Sequence, residues 1–540
     1  MTRSPQSPLS SSSELTSSQH EMAFAMLEER ALHKPPPPGG SVNLLARENI
    51  GLLVNYFAVG IFNGVFPALI YPLFKIYLNL EGYQSNAASS LINFAWYLKF
   101  PLGFLSDCCP INGYRRKPYI YIGWIFLVIV MSVITLMPTV EPYKRKGVVE
   151  NDNASSQSPK LVIPLMAASI GYLLADVACD GLMVEYAQRE SEQQRGQVQT
   201  MIYGVRFSAE LVGTLIVALG LNSDQYGGHF KASLPLGVLF GCLTVVGMVA
   251  LVATRFNLQE VRVVDGGQPL RQQLRGVGRI MRHRATWQIT VYGFIQFFTF
   301  SFDVSPSNTI NEVWLHMDPL SNSLFYCINS GVYAFATYTM RNHLLNTNWR
   351  TIMVVSVVAG TAIGLPSVLV TVFDVYRNKF FYLTKDQFIG FFDALAMMVR
   401  LVVIVEIAEP GLESSTYSLV TTIYNLAIPV MTMTSNVIGS AFSVYDADME
   451  RDTTTVRWHV AISFFVKFGL RLAVNLAILP LLPRQKLEAN ELKRYGHAHK
   501  FTGVLIFSFF GAIFFASLTS NFMSIFTSTT CHRFAGGNGC

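Results

Sequence analysis

Gly103-Phe104-Leu105-Ser106-Asp107-Cys108-Cys109-Pro110-Ile111-Asn112-Gly113-Tyr114-Arg115-Arg116-Lys117-Pro118 separates two apolar stretches. It reads as a helix end bearing an acid, a tight turn, and a basic cluster before the next apolar run. Three consecutive cations resist entry into hydrocarbon and keep the turn on the Lys/Arg-rich side of a membrane. An acid in this position can pair with Arg115 or Arg116, or with the start of a neighbouring helix, where backbone N–H groups lack partners. Asp107, Arg115 and Arg116 are therefore the expected gate; the competing reading is a topology signal alone. Cys108 and Cys109 lack a metal-ligand spacing and read as structural, and no metal site is expected.

Outward from this loop, apolar stretches of about 20 residues recur with short polar breaks. Of the 540 residues, 51% are hydrophobic and only 14% are charged, against ~25% in ordinary soluble chains. Mean hydropathy is +0.36. So few charges cannot solvate several soluble domains, which argues against a soluble enzyme and against a disordered or fibrous protein. A net charge of +6 does not suggest nucleic-acid binding, and seven cysteines do not make a disulfide scaffold. Residues 1–50 are Ser- and Pro-rich and are expected to be disordered and cytoplasmic, with one amphipathic helix possible over Met22 to Leu32. No cleaved signal peptide is expected, so the first apolar helix would target the chain.

The spans fall near 51–78, 86–106, 119–137, 161–186, 198–220, 233–254, 288–314, 321–341, 351–372, 386–407, 416–443, 457–481 and 501–526. With a cytoplasmic N-terminus, inner loops carry 19 Lys and Arg against 9 in outer loops, which supports that orientation. The sequon at Asn153 then lies outside and is a glycosylation candidate. A basic linker, 255–287, carries Arg271, Arg275, Arg279 and Arg282 at helical spacing, as a solvated surface helix beside anionic lipid or as a docking site. It divides an N-terminal six-helix half, 51–254, from a C-terminal one, 288–481. The expected fold class is thus an all-α membrane protein with the two six-helix halves of the major facilitator layout. A loop at 482–500, an extra helix at 501–526 and a tail at 527–540 follow. If the extra helix crosses, the tail is extracellular, where Cys531 and Cys540 can form a disulfide or stay free.

Charges inside spans are costly unless they face the bundle interior. Asp176 and Asp180 are four residues apart and share a helix face. Arg206 reaches a depth similar to Asp180, and an Asp180–Arg206 pair is the first candidate, either structural or substrate-binding. Lys99, Asp303, Asp393, Arg400, Lys75, Lys467 and Arg471 are the other intramembrane charges, with Lys75 and Lys467 expected to snorkel. A fixed cation suits an anionic solute, and a titratable carboxylate suits proton coupling. Aromatics inside spans, including Tyr56, Trp96, Tyr203, Phe207, Tyr292, Tyr333 and Tyr424, offer stacking surfaces for a planar ring. No Walker loop, Gly-x-Ser-x-Gly or His-Glu-x-x-His occurs, so neither ATP drive nor an enzyme constellation is indicated, and no cofactor is expected.

Three blocks resemble the folate–biopterin transporter family. The first is Trp96-Tyr97-Leu98-Lys99 through Asp107 with Gly113-Tyr114-Arg115-Arg116-Lys117. The second is Asp176-Val177-Ala178-Cys179-Asp180-Gly181-Leu182-Met183-Val184-Glu185, with Arg189-Glu190, Gly196 and Gln199. The third is Pro410-Gly411-Leu412-Glu413-Ser414-Ser415-Thr416-Tyr417-Ser418-Leu419, with Asn425. Pro306-Ser307 and Asp393 match more weakly. The order is kept across about 51–480. The chain departs at Phe100, which displaces a proline to Pro101, over Ser307 to Phe325, and in its extra helix and tail.

The resemblance implies a facilitator-fold carrier of folates or pterins, with protons. On that reading Lys99 and Arg206 attract a substrate carboxylate, and Asp176, Asp180 or Asp393 binds the pterin edge or carries the proton. Asp303 completes the candidate set. The expected partners are a small-molecule substrate, protons and the lipid bilayer, in the plasma membrane rather than an organelle. Alternatives are a facilitator of another small organic solute, or a membrane receptor or scaffold that does not transport.

Overall fold

The computed structural model describes residues 42–523 apart from 81–87, 90, 139, 146–147, 192–193, 195, 229, 263–269, 305, 317–318, 409–411, 429, 432–445 and 497–499. Residues 1–41, Pro410, Gly411 and the cysteine tail with Cys531 and Cys540 thus lie outside the described residues, as does the Met22 to Leu32 stretch; residues 42–49, expected to be disordered, instead form turns that lead into the first helix, with Leu44 buried.

The chain is almost entirely helical. Helix α1, Ile50–Leu69, contains Pro67 and continues as a π-helix, Ile70–Tyr77. A 3-10 turn, Phe94–Leu98, leads into α2, Lys99–Cys108. Then come α3, Lys117–Leu136, α4, Pro159–Gln188, α5, Gln197–Gly220, and α6, Leu236–Asn257. The linker forms α7, Leu270–Arg282. It buries Val277 and Ile280 and exposes Arg275, Arg279 and Arg282, the amphipathic helix its arginine spacing predicts. Beyond it lie α8, Arg284–Ser301, α9, Pro319–Thr339, α10, Trp349–Val372, and α11, Lys379–Ile407. The chain goes on through α12, Glu413–Asn425, α13, Thr454–Ile478, α14, Lys486–Tyr495, and α15, Lys500–Met523. A two-stranded hairpin, β1 (Lys144–Arg145) against β2 (Val148–Val149), lies between α3 and α4. Asn153 follows it, exposed.

Eight helices among the described residues are long and apolar enough to cross a membrane. Four of the other five expected spans fall short for identifiable reasons. The second expected span is broken by its 3-10 turn, and α12 ends at Asn425 after 13 residues. Helices α8 and α9 carry Gln288, Gln296, Ser323, Asn329 and Ser330, which lower their hydropathy. The span expected over 288–314 breaks after Ser301. Asp303 accepts from the Val304 N–H and the Ser307 hydroxyl, and Pro306 lacks an N–H to continue the ladder.

Two local features set the site. Asn112 (φ 53°) and Gly113 (φ 81°) form the turn between α2 and α3, closed by reciprocal backbone bonds between Ile111 and Tyr114; both central residues need positive φ, which Asn-Gly tolerates. Gly60 and Gly64 let α1 press against α5: a Cβ on Gly60 would lie 2.3 Å from the Arg206 carbonyl, and one on Gly64 2.2 Å from that of Glu210. This small-xxx-small spacing brings backbones together where lipid provides no hydrophobic drive. Helices α5 and α9, and α2 and α12, make the principal contacts between the earlier and later helices.

Candidate functional site

A buried charge network lies where α1, α2, α4 and α5 meet. Lys99 Nζ is 2.6 Å from Asp180 and 3.3 Å from Asp176, and Arg206 Nη1 is 3.1 Å from the other oxygen of Asp176. The Tyr56 hydroxyl donates to Asp180 at 2.6 Å. All five side chains are buried. The expected Asp180–Arg206 pair is corrected: Arg206 takes Asp176. Lys99 and Tyr56 occupy both oxygens of Asp180. Asn63, its amide oxygen turned toward the guanidinium, accepts from Arg206 Nη2 (2.6 Å) and Nε (3.0 Å) and draws it away. The Gly60/Gly64 contact is what places Asn63 there.

Aromatic rings surround the network. Trp96 lies 5.2 Å from the Lys99 ammonium and 5.4 Å from the Arg206 guanidinium. Tyr203 and Tyr417 join hydroxyls at 2.8 Å across α5 and α12. A cavity of about 200 Å³ adjoins the network, lined by Asn63, Phe66, Pro67, Asn93, Trp96, Tyr172 and Glu210. It lies on the side away from Arg116, because Asn63 and Pro67 follow Tyr56 on α1 and Tyr172 precedes Asp176 on α4. Glu210 has no cation at ion-pair distance among the described residues, so it can change charge without breaking a pair.

Of the three residues expected at a gate, Asp107 and Arg116 meet. Arg116 is fully buried and lies 2.5 Å from Asp107, 3.0 Å from Glu185 and 3.4 Å from Glu413. Asp107 Oδ2 accepts the backbone N–H and the hydroxyl of Ser415, each at 2.5 Å, in the first turn of α12. Both options read for Asp107 are realised together. Arg115 contributes its backbone instead: Glu260, from the linker, accepts the N–H groups of Arg115 (2.7 Å), Arg116 (2.9 Å) and Lys117 (2.7 Å) and caps α3. Burial, then the Asp107 charge, pushes the adjacent Cys108 thiol up to about 12. Asn425 ends α12, half-buried.

The later helices hold a second set of charges. Asp393 pairs with Arg471, whose guanidinium lies 4.3 Å from Phe300. Asp303 pairs with Lys467 at 2.7 Å but is half exposed past the end of α8. It sits apart from the buried networks, which corrects its place among central candidates. Lys467 is fixed by that pair rather than snorkelling free. Asn63 and Glu260 were not singled out by sequence for the site, and Tyr56 was read only as a stacking surface rather than as a donor to Asp180. The Gly60-x-x-x-Gly64 spacing and one of only two acids in a basic linker were the signals available.

Comparison with known proteins fits this geometry. The chain is 25% identical over 403 residues to the folate-biopterin transporter of Synechocystis, covering 70% of this chain and 72% of that protein. It is 29% identical over 199 residues to probable folate-biopterin transporter 4 of Arabidopsis thaliana, covering 37% of this chain and 35% of that protein. Among solved structures it resembles the major facilitator proton:xylose symporter XylE bound to 6-bromo-6-deoxy-D-glucose. The TM-score is 0.56 at 13% identity, over 83% of this chain and 98% of that one. A D-xylose–proton symporter follows with TM-score 0.53 at 15% identity, over 81% and 97%. The fold is therefore that of the major facilitators. With the BT1 family model matching residues 60–494, this chain, a multi-pass membrane transporter and not an enzyme, belongs to the BT1 family.

Proposed function

We propose that the protein carries folate- or pterin-type organic anions with protons, by alternating access between two six-helix halves at 51–254 and 288–481. The observation that carries this reading is the buried Lys99–Asp180/Asp176–Arg206 network beside a cavity lined by Trp96 and Tyr172. Unpaired buried charge in a membrane is expensive, and four charges from three helices at one depth serve a solute better than a scaffold. A carboxylate of Asp176 or Asp180 can accept from the aminopyrimidine edge of a pterin, and Trp96 offers its face. Glu210, in the cavity and free of an ion pair, is the proton carrier in this scheme, with Asp176, Asp180 and Asp393 as the alternatives.

The Asp107–Arg116–Ser415 latch would hold the inner side shut, so the conformation described faces outward. The N-terminus is inside, α15 crosses the bilayer, and the plasma membrane is the site of action. A tag after Cys540 accessible on intact cells, with an N-terminal tag protected, is the expected topology result. The functional test is uptake of labelled folate and biopterin into proteoliposomes with and without an inward-acid gradient. Proton-dependent uptake is expected. No uptake of either under any gradient would defeat the proposal.

A further inference from the structure

Arg400 is buried with no acid at ion-pair distance among the described residues. Lys99, Arg116, Arg206, Lys385 and Arg471 each lie at ion-pair distance from a carboxylate; Arg400 does not, among the described residues. The sequence from 426 to 445 contains no Asp or Glu. Arg400 lies seven residues, about 10 Å, from the Ile407 end of α11, and Asp180 eight residues, about 12 Å, from the Gln188 end of α4. The two therefore share a depth.

The surroundings of Arg400 are polar but incomplete. Its Nη1 donates to the Gln296 carbonyl, and its guanidinium lies 4.7 Å from Phe297 and 5.4 Å from Tyr424. Arg400 Nε, Gln296 Nε2 and the Tyr292 hydroxyl are buried and have no hydrogen-bond partner among the described residues. These residues are 7%, 0% and 2% exposed. Tyr292 lies one turn before Gln296 on α8, and its phenol and that of Tyr203 are electrostatic neighbours of Arg400. Three donors with no acceptor around one cation are costly as structure. Where an arginine in this bundle is structural, as at Arg471, the chain supplies the acid. A run of rings leads from this place to the other network: Tyr333 to Phe207 at 5.3 Å, Phe207 to Tyr203 at 6.2 Å, and Tyr203 to Tyr56 at 6.5 Å.

We infer that Arg400, with Gln296 and Tyr292, receives the carboxylate of an aromatic organic anion whose ring system lies along that run toward Asp180. The inference deepens the transport reading and rests on it for the kind of solute. It reassigns the anion-binding role from Lys99 and Arg206, whose charges Asp176 and Asp180 already match. The guanidinium suits this task because it is planar, always charged and able to hold a carboxylate through two parallel bonds.

The test is equilibrium binding to the full-length protein in detergent, which needs no transport. The probes are folate, its dimethyl ester and neutral biopterin, with benzoate and p-aminobenzoate as simple aromatic carboxylates. Arg400→Gln is expected to weaken folate about 30-fold, Arg400→Lys about 10-fold and Tyr292→Phe a few-fold, the range for charge-assisted bonds. Biopterin should bind each variant within about twofold of wild type, and wild type should bind the ester as weakly as Arg400→Gln binds folate. Melting temperatures should hold, since an unpaired charge is being removed. Equal losses for folate and biopterin, unchanged folate binding, or a wild type that binds none of the carboxylates would overturn the inference. Folate binding through Arg400 with no uptake in proteoliposomes would instead defeat the transport reading alone.

Discussion

Replacing Gly103 by alanine probes the closed gate directly. A Cβ at Gly103 would lie 2.2 Å from Ser418 Oγ, 2.9 Å from the Ser414 carbonyl oxygen and 2.9 Å from Ser418 Cβ. The Ser418 hydroxyl can rotate only by giving up its 2.5 Å bond to the Ser414 carbonyl. The carbonyl and the Cβ cannot rotate away, so α2 and α12 must part by a sizeable fraction of an ångström. Overpacking of this kind costs about 1–3 kcal/mol. On the proposed gating reading this contact forms only while the inner side is shut, so the cost falls on the closed state. About 2 kcal/mol shifts the closed-to-open ratio about 30-fold. Cys108 is a native reporter: it is buried beside Asp107, and its thiol is held up to about 12. The thiolate is the nucleophile, so alkylation at neutral pH should be slow while the gate is shut. In a Cys109→Ser background, Gly103→Ala should alkylate at Cys108 about 10- to 30-fold faster, tracking the open population. Gly469→Ala, whose added methyl would meet nothing within 4 Å, should leave the rate unchanged. An unchanged Cys108 rate in a well-folded Gly103→Ala protein would refute the α2–α12 contact as the gate.

Three other outcomes follow from the same geometry. Asp107→Asn keeps shape but removes one of three acids around Arg116; uptake should fall several-fold with surface expression near wild type, and wild-type kinetics would remove Asp107 from the gate. Asp180→Asn strands Lys99 with only its 3.3 Å contact to Asp176 and should lower expression, since breaking a buried pair costs about 3–5 kcal/mol before such compensation; Lys99→Gln with Asp180→Asn should restore expression, and expression unaffected by the single change would count against the pair. Asp452, in the loop before α13, is penalised by burial, but hydrogen bonds from Arg377 and Arg457 hold its carboxyl down at about 2. A depressed folded pKa stabilises above the unfolded value of about 4 and is lost as pH falls toward 2. Protease nicking in this loop should therefore rise between about pH 4 and pH 2 in wild type, and Asp452→Asn should show that susceptibility already at neutral pH.

What the sequence made legible was set by local chemistry. The Asp107 to Lys117 stretch carries an acid, an Asn-Gly turn and cations within a few residues, so its pairing follows from short-range geometry: Asp107 meets Arg116, while Arg115 offers only its backbone. Asp176 and Asp180 share a face by helical period alone. Which cation each would meet was not legible, because that depends on Asn63 and on two glycines in α1 that let a different helix approach. Asp303 shows the opposite failure. Its apolar surroundings suggested a span, yet Pro306 and the side-chain bonds to Val304 and Ser307 end the helix before it, leaving the acid half exposed. Arg400 stood among the intramembrane charges from the outset, with nothing in its own neighbourhood to separate it from Arg471. The difference is whether an acid on another helix faces it. Asp393 lies seven residues before Arg400 on the same helix, about two turns, so spacing alone invites a pair between them. The fold gives Asp393 to Arg471 instead. A deep cation left with tyrosines and an amide is a property of packing between helices, and it marks where the bundle has charge to offer a solute.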